Sequence, residues 1–208
     1  GAGMLWVGWF GFNGGSALAA TGDASMAMLV THISAAAGTL TWAAIEWKKF
    51  GKASVLGAVT GMVAGLGTIT PASGFVGPGG ALIIGVSAGA VCFYATVYIK
   101  QKLKIDDSLD VFPVHGVGGI LGTLLAGVFS ATSLGVFSGF GFAEGISTMG
   151  EQVGVQLIGI VSTFVYTAVA TYIILKLVGL MTSGLRVDEE QESNGLDQVE
   201  HEESGYNL

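Results

Sequence analysis

The stretch DVFPVHGVGG at 110–119 sets an imidazole, His115, a carboxylate, Asp110, and a proline, Pro113, in a Gly-rich apolar run. A neutral imidazole can pass a proton and can accept or donate hydrogen bonds without a permanent charge. Ionisable side chains at membrane depth face a protein interior or a water-filled path. A packing histidine bonded to a neighbouring carbonyl is the structural alternative. Asp110, with Pro113 three residues later, reads as a helix start. An aspartate oxygen satisfies the first free N–H groups there, and proline suits the first turn.

A second set of residues opens the chain, GAGMLWVGWFGFNGGSA, with Trp6, Trp9, Phe10 and Phe12 ahead of Asn13 and Ser16. Aromatic rings near a membrane interface act as anchors. Ring faces beside a hydroxyl also suit a small cation through cation–π attraction. His32, beside Thr31, reads as a helix–helix hydrogen-bonding residue, and His201 lies in a polar tail. The single cysteine, Cys92, excludes an intramolecular disulfide and gives no zinc motif. No group of His, Cys and carboxylates at ligand spacing occurs inside the apolar segments, so neither an enzyme nor a metal or cofactor site is expected.

These residues sit in a chain built for a membrane. It has 208 residues, 51% hydrophobic and 11% charged, with a mean hydropathy of +0.68. Soluble domains carry about 25% charged residues. Six apolar segments stand out, at about 1–18, 25–46, 53–71, 77–99, 108–131 and 152–182. They are too long and too continuously apolar for the ~10-residue alternating strands of a membrane barrel, and predict helices. No charged n-region precedes the first, which argues against a signal peptide. The chain reads as starting inside a span.

Lys48, Lys49 and Lys52 follow the second segment, Lys100, Lys102 and Lys104 the fourth, and Lys176 and Arg186 close the sixth. The junctions 19–24, 72–76 and 132–150 contain no Lys or Arg. Positive charge marks the cytoplasmic side, which puts the C-terminus inside. Span five then enters from that side, and His115 lies ~12 Å along it from Asp107, near the midplane. Glu46 and Trp47, beside the lysines, read as interface residues.

Gly57, Gly61 and Gly65, then Gly85 and Gly89, then Gly118 and Gly122 recur every four residues and predict tight helix packing. The TPASGFVGPGG stretch at 70–80 predicts a tight connection, and 132–150 an outer loop lying over the surface. Residues 1–182 are charge-balanced, and the net charge of −7 belongs to 183–208. No basic surface suggests nucleic acid. The acidic 183–208 tail is expected to lack regular structure alone and to order on a partner.

LWVGWFGFNGGSA at 5–17, TPASGFVGPGGALIIG at 70–85 and DDSLDVFPVHGVGGILG at 106–122 resemble the ammonium transporters of the Amt/Mep/Rh family. GLRVDEEQESNGLDQVEHEESGYN at 184–207 is similar to the tail of the bacterial Amt branch. The resemblance covers essentially the whole chain. It implies an all-α polytopic bundle of the inverted-repeat transporter fold. This chain would supply helices six to eleven of eleven plus the cytoplasmic tail. It further implies a homotrimer with one pore per subunit in the cell membrane. A second histidine would come from the first half.

By that resemblance Phe12 is one of two stacked rings closing the pore from outside, and Ser16 is the hydroxyl of the outer ammonium recruitment site. Leu5, Trp9 and Val111 line the apolar pore, and His115 is one of a histidine pair. Thr70 stands beside the pore, and Asp110 is structural. The tail would contact a PII signal protein. The implied function is ammonium recruitment outside, ammonia conduction through the pore and separate proton transfer. An ammonium sensor signalling through its tail is the alternative.

Overall fold

The computed structural model describes residues 1–182 and 184–205. Its regular structure is helical: α1 Ala2–Gly15, α2 Gly22–Phe50, α3 Val55–Ile69, α4 Pro78–Val97, α5 Gly118–Phe129, α6 Met149–Met181, α7 Glu189–Asn194 and α8 Leu196–His201. Among the described residues five helical stretches are long and apolar enough to cross a membrane: Gly22–Phe50, Val55–Ala72, Pro78–Lys102, Phe112–Phe129 and Met149–Met181. At 14 residues α1 is ~21 Å long. The architecture is an all-α, polytopic membrane fold. The chain divides into two compact units, Gly1–Ile160 and Val161–Leu208.

In the first unit α2 is gripped between α3 and α4, and the glycine stripes are the reason. A Cβ on Gly61 would come to 2.5 Å from Trp42 Cβ, and one on Gly89 to 2.7 Å from the Gly38 carbonyl oxygen. A Cβ on Gly65 would overlap the Ser34 carbonyl, and one on Gly85 would stand 2.5 Å from the same oxygen. Ser34 Oγ donates to the Gly65 carbonyl at 2.8 Å. Small residues let the backbones meet directly, which matters in lipid, where apolar exclusion does not drive helices together. Around this node Leu66, Ile69, Ile84 and Val30 are fully buried.

The α2–α3 turn is held by a residue expected only to mark the interface. The Ser54 N–H donates to Glu46 Oε2 at 2.7 Å, and Ser54 Oγ and Trp42 Nε1 donate to Glu46 Oε1 at 3.2 and 3.3 Å. Ser54 Oγ in turn accepts from the Gly57 N–H at 2.8 Å, capping α3. Gly51, at φ 77°, ends α2 in the left-handed conformation, and its N–H donates to the Trp47 carbonyl. Replacing Glu46 with alanine is expected to destabilise the protein by about 1–2 kcal/mol, by stripping acceptors from three donors. Thermal unfolding in detergent checks this, and Glu46→Gln, which keeps an acceptor, should restore part of the loss.

At the opposite end the 70–80 connection is a single 3₁₀ turn, Thr70–Ala72, followed by a turn into Pro78. The segment 130–143 is pinned onto it. Val76 bridges Gly139 and the Phe140 N–H donates to the Phe75 carbonyl at 3.0 Å, while the segment is closed on itself by the Gly141 N–H donating to the Ser130 carbonyl at 2.8 Å. Helix α6 starts at Met149 rather than 152 because Thr148 and Glu151 cap each other's backbone. The Thr148 N–H donates to Glu151 Oε2 at 3.1 Å and the Glu151 N–H to Thr148 Oγ1 at 3.2 Å.

In the second unit the tail departs from the expected absence of regular structure, since it carries α7 and α8. Asp188 and Gln191 form a capping box, at 2.8 and 3.2 Å, and Arg186 makes a bidentate pair with Glu192 at 3.0 and 3.1 Å. Both partners of that pair are exposed, and such pairs contribute little. The cap, spaced Asp-x-x-Gln, is what nucleates so short a helix.

Candidate functional site

Four side chains share one stripe of α1. Leu5, Trp9, Phe12 and Ser16 are spaced four, three and four residues apart, which keeps them on one helix face. Leu5, Phe12 and Ser16 are exposed, and Trp9 is half-buried. The orientation of α1 is fixed from the flank of that stripe. Asn13, buried at 4% exposure, donates through Nδ2 to Thr31 Oγ1 of α2 at 2.8 Å, and the Thr31 hydroxyl donates to the Ala27 carbonyl at 2.6 Å. Asn13 carried no role in the sequence reading. Its neighbours made it look like part of the aromatic end rather than the peg that turns that end outward.

Trp9 Nε1 donates to Thr70 Oγ1 at 2.7 Å, and the Thr70 hydroxyl donates to the Leu66 carbonyl at 2.7 Å. Thr70 thus holds the indole of α1 against the last turn of α3. Ser16 Oγ donates to the Phe12 carbonyl at 2.7 Å. With its proton committed there, the Ser16 oxygen presents lone pairs to any N–H donor beside the Phe12 ring.

His115 lies on the segment Phe112–Val117, which is wound as a π-helix leading into α5. Wide turns of this kind occur often at functional sites. The start of that segment corrects the expectation for Asp110. The cap is Asp107, whose carboxylate accepts from the Val111 and Phe112 N–H groups, both at 2.9 Å. Pro113 has no N–H, and the Val114 N–H donates to the Asp110 carbonyl at 3.1 Å. Every first-turn donor is therefore accounted for without the Asp110 side chain. Asp110 has φ 55°, a conformation that Asp tolerates better than most residues, and its carboxylate pairs with Lys100 Nζ at 2.7 Å.

Val111 and His115, four residues apart, are both exposed. A Cβ placed on Gly67 of α3 would lie 3.9 Å from His115 Nδ1. Gly67 and Thr70 are three residues apart on one face, so the end of α3 is bracketed by Trp9 on one side and His115 on the other. The structure therefore brings Trp9, Thr70 and His115 around one helix end, with Phe12 and Ser16 one and two turns further along α1. Among the described residues no hydrogen bond joins the His32 ring to another helix, contrary to the expectation for it. Its ring packs against Trp6 at 5.2 Å and Phe10 at 5.9 Å.

The face formed by these residues is apolar, with isolated lone pairs and one imidazole. It suits passage of a small neutral molecule and recruitment of a small cation. Among the described residues no cluster of three or more His, Cys, Asp or Glu could hold a metal ion. An open cavity of about 340 Å³, lined by Lys100, Lys104, Ile105, Asp106, Asp107 and Ser108, shares no residue with this face.

A family model described as "Ammonium Transporter Family" matches residues 1–206. A putative ammonium transporter of Methanothermobacter thermautotrophicus is 47% identical over 210 residues, covering 100% of this chain and 50% of the relative. An ammonium transporter of Bacillus subtilis is 42% identical over 206 residues, covering 99% and 50%. A solved structure named "Sensor Amt Protein" matches with a TM-score of 0.85 at 31% identity, over 96% of this chain and 47% of that one. Saccharomyces cerevisiae Mep2 matches with a TM-score of 0.73 at 39% identity, over 85% and 42%. The chain spans about half the length of the curated relatives it matches.

Proposed function

The chain belongs to the ammonium transporter family, and on that premise we propose that it forms one wall of an ammonia pore in the cell membrane. The observation that carries this is the convergence of Trp9, Thr70 and His115 on the end of α3, in line with the Phe12–Ser16 pair. Ammonium is recruited at the outer end. There the Phe12 ring offers a cation–π face and Ser16 an acceptor oxygen. A bare ammonium ion crosses an apolar midplane only at high cost, so it gives up a proton, and neutral ammonia continues past Leu5, Trp9, His115 and Val111. His115, paired with a second histidine from the remaining half of the full-length protein, carries the proton by a separate hydrogen-bonded route.

The same reading makes the full-length protein a homotrimer with its C-terminus cytoplasmic. The acidic tail is then the contact for a PII signal protein. The two lysine clusters, with Lys176 and Arg186, support this orientation.

A second reading, an ammonium sensor, is favoured by the similarity to the structure named "Sensor Amt Protein". Uptake of labelled methylammonium by cells lacking other ammonium transporters separates the two. Accumulation above the external concentration is expected for the full-length transporter. Binding without accumulation would overturn that reading in favour of the sensor.

A further inference from the structure

Helix α3 carries four glycines, and three of them answer to packing. A Cβ on Gly57 would overlap the Glu46 carboxylate, one on Gly61 would meet Trp42 Cβ, and one on Gly65 would overlap the Ser34 carbonyl. Gly67 is different. The nearest atoms to a Cβ placed there are the Val114 carbonyl oxygen at 3.8 Å and His115 Nδ1 at 3.9 Å, which is ordinary van der Waals contact. Gly67 is half-buried, and its φ is not in the left-handed region. Alanine therefore fits, and it would be the better helix former. Within this chain neither close packing nor backbone conformation accounts for the glycine.

What the missing side chain does is leave a notch beside the imidazole. Gly67 shares its face with Thr70, whose hydroxyl fixes Trp9. On this face α3 thus presents bare backbone to His115 and a hydroxyl to Trp9. We propose that Gly67 is a size-selecting position: the open notch beside His115 Nδ1 admits methylated ammonia, and a side chain there narrows the path for methylammonium more than for ammonium. This rests on the reading that His115 lines the ammonia path.

The test uses the full-length protein with Gly67→Ala and Gly67→Val, comparing methylammonium with ammonium uptake at equal membrane abundance. One methylene in an apolar pocket changes discrimination by about tenfold or more. The methylammonium-to-ammonium ratio is expected to fall by about tenfold in Gly67→Ala and further in Gly67→Val. A ratio unchanged in both variants, or a parallel loss of both substrates, would overturn the size-selecting role. So would a drop in the unfolding temperature of Gly67→Ala, because it would show that packing does require the glycine. A wild-type protein that moves neither substrate overturns the transport reading as well. One that moves both, with an unchanged ratio in the variants, overturns the role of Gly67 alone.

Discussion

Full-length protein carrying His115→Ala is expected to lose ammonium-evoked current by about a hundredfold or more, the scale of a positioned proton-transfer group. The imidazole stands exposed on the π-wound turn, and no side chain intervenes between its Nδ1 and the α3 backbone at Gly67. Alanine removes the imidazole that this chain sets at the end of α3 near the Trp9–Thr70 pair, and leaves apolar wall behind. Current through oocytes or solid-supported membranes, normalised to surface expression, is the measurement. Unchanged current would remove the proton-relay role while leaving room for ammonia to pass.

The second large effect concerns the wall that carries His115. In α5, a Cβ on Gly122 would overlap the Thr68 carbonyl oxygen and come to 2.8 Å from its carbon and 3.1 Å from Pro71 Cγ. The obstacle is backbone, so it cannot rotate away, and the helix itself must move. Gly122→Ala is expected to destabilise the protein by about 1–3 kcal/mol, the usual range for overpacking. Because α5 continues directly from the π-wound turn, the same displacement shifts His115 from the end of α3, and uptake should fall with stability. Gly119→Ala, in the same helix but with nothing within 4 Å of its Cβ, is the matched comparison and should unfold no lower than wild type. Thermal unfolding in detergent, beside uptake in cells, decides. Equal stability of the two variants would mean that α3 and α5 do not meet as described.

Several parts of this arrangement were legible in the residues alone. The four-residue glycine spacing announced close helix contacts, and the α2 node is made of them. His115 and the aromatic run were visible as polar and cationic chemistry in apolar surroundings. Other parts depend on distinctions that the sequence does not draw. Asp106, Asp107 and Asp110 lie within five residues, and any of them has the side chain to cap a helix. Only the left-handed backbone at Asp110 and the reach of Lys100 decide that Asp107 does so. The π-winding of 112–117 has no composition signature. The role of Gly67 is hidden because glycines that pack and a glycine that does not look alike in a row of letters. The Thr148–Glu151 and Asp188–Gln191 caps were written in the sequence. Neither stands out there, because one adjoins an apolar span and the other lies within an acid-rich tail.

The Asn13–Thr31 bond does more than aim α1 sideways. It pins to α2 the end of α1 that carries the Phe12–Ser16 pair, and that end is the C-terminal one. Aligned peptide dipoles leave about half a negative charge there, concentrated on the last carbonyls. The backbone of α1 therefore adds a field to the ring face and the hydroxyl lone pairs, and all three have the same sign. On the transport reading proposed above, a solute at this end is sorted by charge before it is sorted by size. Cations and N–H donors are drawn in, and an anion is met by lone pairs, a π face and the negative end of a helix.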